Sequence, residues 1–150
     1  MKTFLFILAL AISAPAQIES LLKEGANVKI KDQALVFVPV KFEPCEVTWR
    51  LKYNNSIFRE TTINLADLDP QRVRIEPARD EPGILQLMLY TLNDRELIKE
   101  QTIYPDQSRG DANHKSVHIL LIKKRSIADK LAQAFASAAT KCSGPGSVVE

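Results

Sequence analysis

Near its C-terminus the sequence changes period, and that change limits what the chain can fold into more than any other feature. From about residue 34 to Lys123, apolar residues alternate with polar ones between turn signals. After Ser126 they recur at steps of three and four, placing Ile127, Leu131, Ala134, Phe135, Ala138 and Cys142 on one stripe. Most of a helix's stability comes from packing its apolar face, so this stripe must be buried on a partner. After a run of strands, the available partner is a sheet. Ser126 stands where an N-cap belongs, and Asp129 three residues later suits a helix N-terminus. Gly144 and Pro145 end the helix, and residues 143–150 read as a disordered tail.

Before the helix the chain reads as about seven strands. "ALVFVPVKF" is β-branched, and Pro39 inside it marks an edge strand or a bend. "CEVTWRLKY" alternates cleanly, with Cys45, Val47, Trp49, Leu51 and Tyr53 on one face and Glu46, Thr48, Arg50 and Lys52 on the other. Asn54-Asn55 tolerate the positive φ of a tight hairpin, and "IFRETTINL" returns from it. "QRVRIE" directs Val73 and Ile75 inward. "ILQLMLYTL" and "ELIKEQTIY" flank "NDR", which reads as a second hairpin. "KSVHILLIKK" is apolar on both faces and therefore reads as a central or covered strand. The expected fold class is α+β and mostly β: about seven antiparallel strands in two packed sheets, closed by one C-terminal amphipathic helix.

The N-terminus constrains the compartment. Lys2 precedes an apolar run from Phe4 to Ile12, and Ala14-Pro15-Ala16 supplies small residues two apart, the pattern of a secretory signal peptide cleaved after Ala16. The run is far shorter than the roughly 20 residues of a membrane-spanning helix, and no other stretch is apolar enough to span. Residues 17–33 read as an N-terminal extension holding a helical turn or two. The expected location is secreted or periplasmic, with no transmembrane segment in the mature chain. Charges of both signs are interspersed around a formal balance of +2, so no basic face is set up for nucleic acid.

Export gives the two cysteines a meaning. Disulfides persist outside the cytoplasm, and two cysteines allow a single intramolecular pairing, Cys45 with Cys142. Cys45 shares a face with Val47 and Trp49, and Cys142 shares a stripe with Leu131 and Phe135, so both thiols are expected to face the core. The rival, a redox or nucleophilic cysteine, calls for an electropositive, accessible setting or a closely spaced pair; Lys141 beside Cys142 gives it slight support, while Cys45 is flanked by Pro44 and Glu46.

A strand-rich chain ending in one amphipathic helix resembles the pleckstrin-homology-like fold, two orthogonal sheets closed by a C-terminal helix. The resemblance covers residues 34–142 as a single domain. The combination of "WR", "LADLDP" and a helix ending in cysteine is also similar to uncharacterised secreted bacterial domains. Neither resemblance carries an active site to any residue here. Some pleckstrin-homology domains bind phosphoinositides through basic residues around the first hairpin, which points to Arg50, Lys52 and Arg59. Those lipids face the cytoplasm, whereas this chain carries an export signal.

Candidate chemistry is sparse. His114 and His118 are four apart, which on a helix can pair two metal ligands. On a strand, residues four apart are separated by about 13 Å, so a shared metal would require His114 to fold back from the loop. Ser108 and Ser116 lie in no nucleophile-elbow pattern. Lys123, Lys124 and Arg125, where a strand meets the helix, form a candidate anion site at the helix N-terminus. Asn54-Asn55-Ser56 matches the N-glycosylation acceptor. No motif implies a cofactor or a metal, and none assigns a catalytic residue. The expected function is a secreted, non-catalytic binding module for an unknown protein or surface ligand. The alternatives are a small-ligand or lipid carrier using the space between sheet and helix, and a hydrolase built around His114 and His118.

Overall fold

The computed structural model describes residues 13–144. The apolar opening run of the expected signal peptide and residues 145–150 of the expected tail lie outside them. The described chain begins with helix α1 (Ala14–Gly25), whose second residue is Pro15, tolerated where a helix has no use for the missing N–H. Ile18 and Leu22, four apart, are completely buried. The extension expected to hold a helical turn or two is entered by a three-turn helix that starts at Ala14, within the expected signal peptide, and packs on the C-terminal helix.

Nine strands follow: β1 (Val28–Ile30), β2 (Gln33–Phe42), β3 (Glu46–Lys52), β4 (Phe58–Asn64), β5 (Leu68–Pro77), β6 (Leu85–Thr91), β7 (Ile98–Ile103), β8 (Asn113–Lys115) and β9 (Val117–Ile122). Helix α2 (Arg125–Cys142) is the last element of the described residues. All pairings are antiparallel. One sheet runs β1-β2-β3-β4-β7-β8 and the other β5-β6-β9. The expected class therefore holds, α+β and mostly β, in two antiparallel sheets with a C-terminal helix. The additions are α1 and the two three-residue strands β1 and β8.

One core takes side chains from both sheets and both helices. Val47, Trp49 and Ile63 meet Leu68, Leu87, Leu89 and Leu120, while Ile18 and Leu22 of α1 and Leu131 and Phe135 of α2 fill the remaining side. The stripe on α2 is buried as its spacing predicts, through Ile127, Leu131, Ala134, Phe135 and Ala138, with Ala128 and Ala139 beside them. The Phe135 ring lies 6.3 Å from that of Trp49. Each such side chain contributes about 1.5–3 kcal/mol by leaving water, so α2 is part of the core. At the α1–α2 crossing Gly25 has no room for a side chain. A Cβ there would collide with Ile127 Cγ2 and stand 3.4 Å from Ile122 Cγ2.

Several local expectations are corrected. The residue before α2 is Lys124, not Ser126, and its side chain makes no capping bond. At the tip of the first hairpin the positive φ falls on Ser56, not on the asparagines. Asn54 is used differently: it accepts from Ala34 N–H at 3.1 Å and donates to Asp32 O at 2.8 Å, tying the hairpin to the β1–β2 turn. The "NDR" stretch is not a hairpin. β6 and β7 belong to different sheets, and Asn93 and Asp94, both at positive φ, turn the chain from one to the other. β9 is an edge strand rather than a central one. Its second apolar face is accounted for in part by Leu121, which packs with a small cluster around Val28, Leu35 and Ile84. Pro39 stands where a strand edge tolerates it: β1 covers only Gln33 to Leu35 of β2, and the β2–β3 register shifts between Pro39 and Lys41.

Candidate functional site

Strand register puts a carboxylate where a sheet normally buries an apolar group. Trp49 on β3 lies opposite Thr61 on β4, and Thr61 lies opposite Glu100 on β7, so the three form a row on the inner face. Ile98, two residues before Glu100, is buried on the same face. Glu100 is 6% exposed and survives there because cations converge on it. Its Oε1 accepts from His118 Nδ1 at 2.7 Å, Lys115 Nζ lies 2.8 Å from Oε2, and Arg59 approaches the same oxygen at 3.8 Å. Burial pushes the Glu100 carboxyl up, but the bonds from His118 and Lys115 outweigh it and bring it down to about 2.

The histidine contact therefore has a defined proton. With Glu100 ionised, His118 Nδ1 carries the hydrogen and donates it. Nε2 is buried and has no hydrogen-bond partner among the described residues, and the imidazole meets the Trp49 indole edge-on with centroids 5.5 Å apart. A carboxylate orienting a histidine is the rear half of a hydrolytic triad, and among the described residues no hydroxyl or thiol is bonded to His118 Nε2. Ser108 sits in an exposed turn bonded to Asp106, and Ser116 serves through its backbone carbonyl, which accepts from Thr91. Neither hydroxyl is bonded to His118.

The group opens onto a cleft of about 310 Å³. Its floor is the inner face of the larger sheet near the first hairpin, with Leu51, Tyr53, Arg59 and Thr61. Glu100 and Lys115 stand at one side, and Val117, His118 and Ile119 form the wall. Leu51 and Tyr53 make part of it apolar, while the cations leave part of it charged.

A second carboxylate is held on the outer face of the same strands. Arg50, Glu60 and Gln101 are cross-strand neighbours, and Arg109 folds over from the β7–β8 loop. Arg50 Nε donates to Glu60 Oε2 at 2.8 Å, and the Arg109 guanidinium donates to Glu60 Oε1 at 2.9 Å and to Gln101 Oε1 at 3.1 Å. Burial raises the Glu60 carboxyl, and the two arginines lower it further than burial raises it, leaving it below its ordinary value. This network locks the loop to the sheet.

The residues singled out from sequence are thus scattered. Cys45 and Cys142 do form a disulfide, with Cα atoms 5.6 Å apart. It sits at the rim and not inside, because Cys45 lies in the exposed turn before β3 and Cys142 is only partly buried at the end of α2. His114 is exposed on β8, opposite Lys99 in the larger sheet, while His118 is buried on β9 in the smaller one. Among the described residues, no cluster of three or more histidine, cysteine or carboxylate side chains is placed to hold a metal. Lys123, Lys124 and Arg125 are all exposed at the β9–α2 junction. Of the basic hairpin residues, Arg50 and Arg59 are engaged with Glu60 and Glu100, and Lys52 is exposed. The space between α2 and the sheets is occupied by Leu131, Phe135 and Ala138, each 1% exposed or less.

Sequence reasoning missed Glu60, Glu100, Lys115 and Arg109. The available signal was a glutamate in phase with Ile98 on an inward-facing strand, the kind of buried charge that demands partners. No family model matches the chain, and no curated protein and no solved structure matches it either.

Proposed function

We propose that the chain is an exported, non-catalytic binding module whose working surface is the cleft between β9 and the inner face of the larger sheet. The observation that carries this reading is the partly apolar cleft opening beside Arg59 and Lys115, each of whose side chains is nearly half exposed next to a buried Glu100. Concave sites that combine apolar walls with a few convergent polar groups are the usual places for ligands. The volume is at the small end of the range for such sites, which suits part of a larger partner better than a whole lipid. The carrier alternative is disfavoured by the filled space beneath α2, and the hydrolase alternative by the buried, unengaged His118 Nε2.

Export is supported by the disulfide and by the apolar N-terminal pattern. No helix of the described residues is long and apolar enough to cross a membrane. A pleckstrin-homology-like relationship belongs to the same proposal, supported by two antiparallel sheets with a C-terminal helix packed on them.

The test is fragment binding followed by amide NMR on the oxidised protein, alongside a panel of ester, amide and phosphoester substrates. Shifts concentrated at Thr61, Glu100 and Val117 are the expected result. Turnover that disappears in His118→Asn would overturn the non-catalytic reading.

A further inference from the structure

We propose that the free edge of β9 docks an extended peptide that carries an aspartate or glutamate side chain, a more specific use of the cleft that rests on the binding reading above. Val117, His118 and Ile119 all line the cleft. Successive side chains of a strand point to opposite faces, so three consecutive residues line one cavity only when the edge of the strand forms its wall. β9 is paired with β6 on one side, and no strand of the described chain lies on the other. Thr91 N–H donates to Ser116 O at 2.9 Å, directly across the β6–β9 register. Antiparallel pairs alternate between bonded and non-bonded, so His118 and Leu120 spend their backbone groups on β6. The N–H and C=O of Val117, Ile119 and Leu121 point to the open side.

This edge is also unguarded. Exposed edges are normally blunted by charge, proline or a bulge, yet Val117–Ile122 contains no Lys, Arg, Asp, Glu or Pro, and Ile119 is 43% exposed. Contrast β2, whose open stretch carries Pro39 and Lys41. An unguarded edge above a concave sheet face is the arrangement used for strand addition, where backbone bonds hold the peptide and pockets select alternate side chains.

Charge selects the occupant. Glu100 is the cleft's carboxylate, and its two oxygens are taken at 2.7 and 2.8 Å by His118 and Lys115. Arg59 is left with a contact of 3.8 Å to an oxygen already in use, and its side chain is 43% exposed. The cleft thus holds a guanidinium that is only loosely matched. A planar fork of donors is best satisfied by a carboxylate. The apolar floor at Leu51 and Tyr53 takes a neighbouring β-branched or aromatic side chain.

The experiment is selection of a displayed random octapeptide library, blocked at both ends by flanking scaffold, on the oxidised protein. Individual binders are then measured as acetylated, amidated peptides. Enriched sequences should alternate apolar and polar residues and carry at least one acidic side chain. Arg59→Gln should weaken binding at least tenfold. Ile119→Pro, which removes an N–H that β6 does not use, should abolish it, and Ile119→Lys serves the same purpose if the proline variant fails to fold. Binders that are basic, or that ignore both Arg59→Gln and the Ile119 variants, overturn the proposal. Fragments that shift the cleft amides while no peptide enriches would sink the peptide docking and leave the binding reading standing. Silence in both experiments removes both. A concentration-dependent dimer that Ile119→Lys returns to monomer would show the edge pairing with a second copy, and that also overturns it.

Discussion

Glu100 on β7 and His118 on β9 are 18 residues apart and in different sheets, yet their side chains meet at 2.7 Å inside the protein. The contact is a charged tie across the sandwich. Replacing His118 by leucine leaves Glu100 with Lys115 and the distant Arg59, and should cost about 1.5–3 kcal/mol, the scale of a hydrogen bond to a charged group. Urea unfolding at pH 7 measures it; an unchanged midpoint would mean that Lys115 alone satisfies the carboxylate.

Acid should loosen the same tie. The folded Glu100 carboxyl titrates near 2, below its ordinary 4.5, so its contribution is fully present above about pH 4.5 and is lost as pH falls towards 2. Comparing unfolding midpoints at pH 6 and pH 3, Glu100→Gln should show a smaller drop than the parent protein. Some drop remains in the variant, because Glu60 and Asp106 are also held below their ordinary values. Equal drops would remove Glu100 from the acid response.

The α1–α2 crossing should be sensitive to a single methyl group. Gly25→Ala pushes a Cβ into Ile127, which is 3% exposed and cannot retreat freely. A loss of about 1–3 kcal/mol is expected from this overpacking. In an Ile127→Ala background, which lacks the colliding Cγ2, Gly25→Ala should cost less than it does in the parent protein. If Gly25→Ala is neutral by thermal melting, the helices pack more loosely than described.

Phe135→Ala should cost about 3–5 kcal/mol, since the ring is fully buried against Trp49 and the sheet residues around it. A loss under about 1 kcal/mol would place α2 outside the cooperative core.

The disulfide closes a sequence separation of 97 residues and should contribute about 2–4 kcal/mol, below the ~4.7 kcal/mol ceiling that chain entropy sets for a loop near 100 residues. The reduced protein should stay folded, because the bond sits at the rim while the core is built from Trp49, Phe135 and their neighbours. Thiol titration of the denatured, unreduced monomer should find no free thiol. Two titratable thiols would contradict the bond, and a melting temperature unchanged by reductant would contradict its contribution.

Cleavage after Ala16 would start the exported chain at Gln17, removing the first three residues of α1 with the buried Pro15 and retaining the buried Ile18, Leu21, Leu22 and Gly25. Intact-mass measurement of the exported protein decides this, and a chain still beginning at Met1 would remove the export reading.

What the sequence determined by itself follows from local periodicity. Alternation in "CEVTWRLKY" assigned Val47 and Trp49 to the core, steps of three and four assigned Leu131 and Phe135 to one helical face, and two cysteines left one intramolecular pair. Periodicity tells which side of an element is apolar; it does not say which element lies beside it. Tertiary structure alone decided that "NDR" leads between sheets and not around a hairpin, that β9 is an edge, and that α1 is held against α2. The candidate site shows the same division. His118 was visible as a titratable residue in a strand, but Glu100, Lys115 and Arg59 became its neighbours only when β4, β7, β8 and β9 came together. Those pairings are non-local, settled by how the strands pack in three dimensions, and no local pattern records that choice.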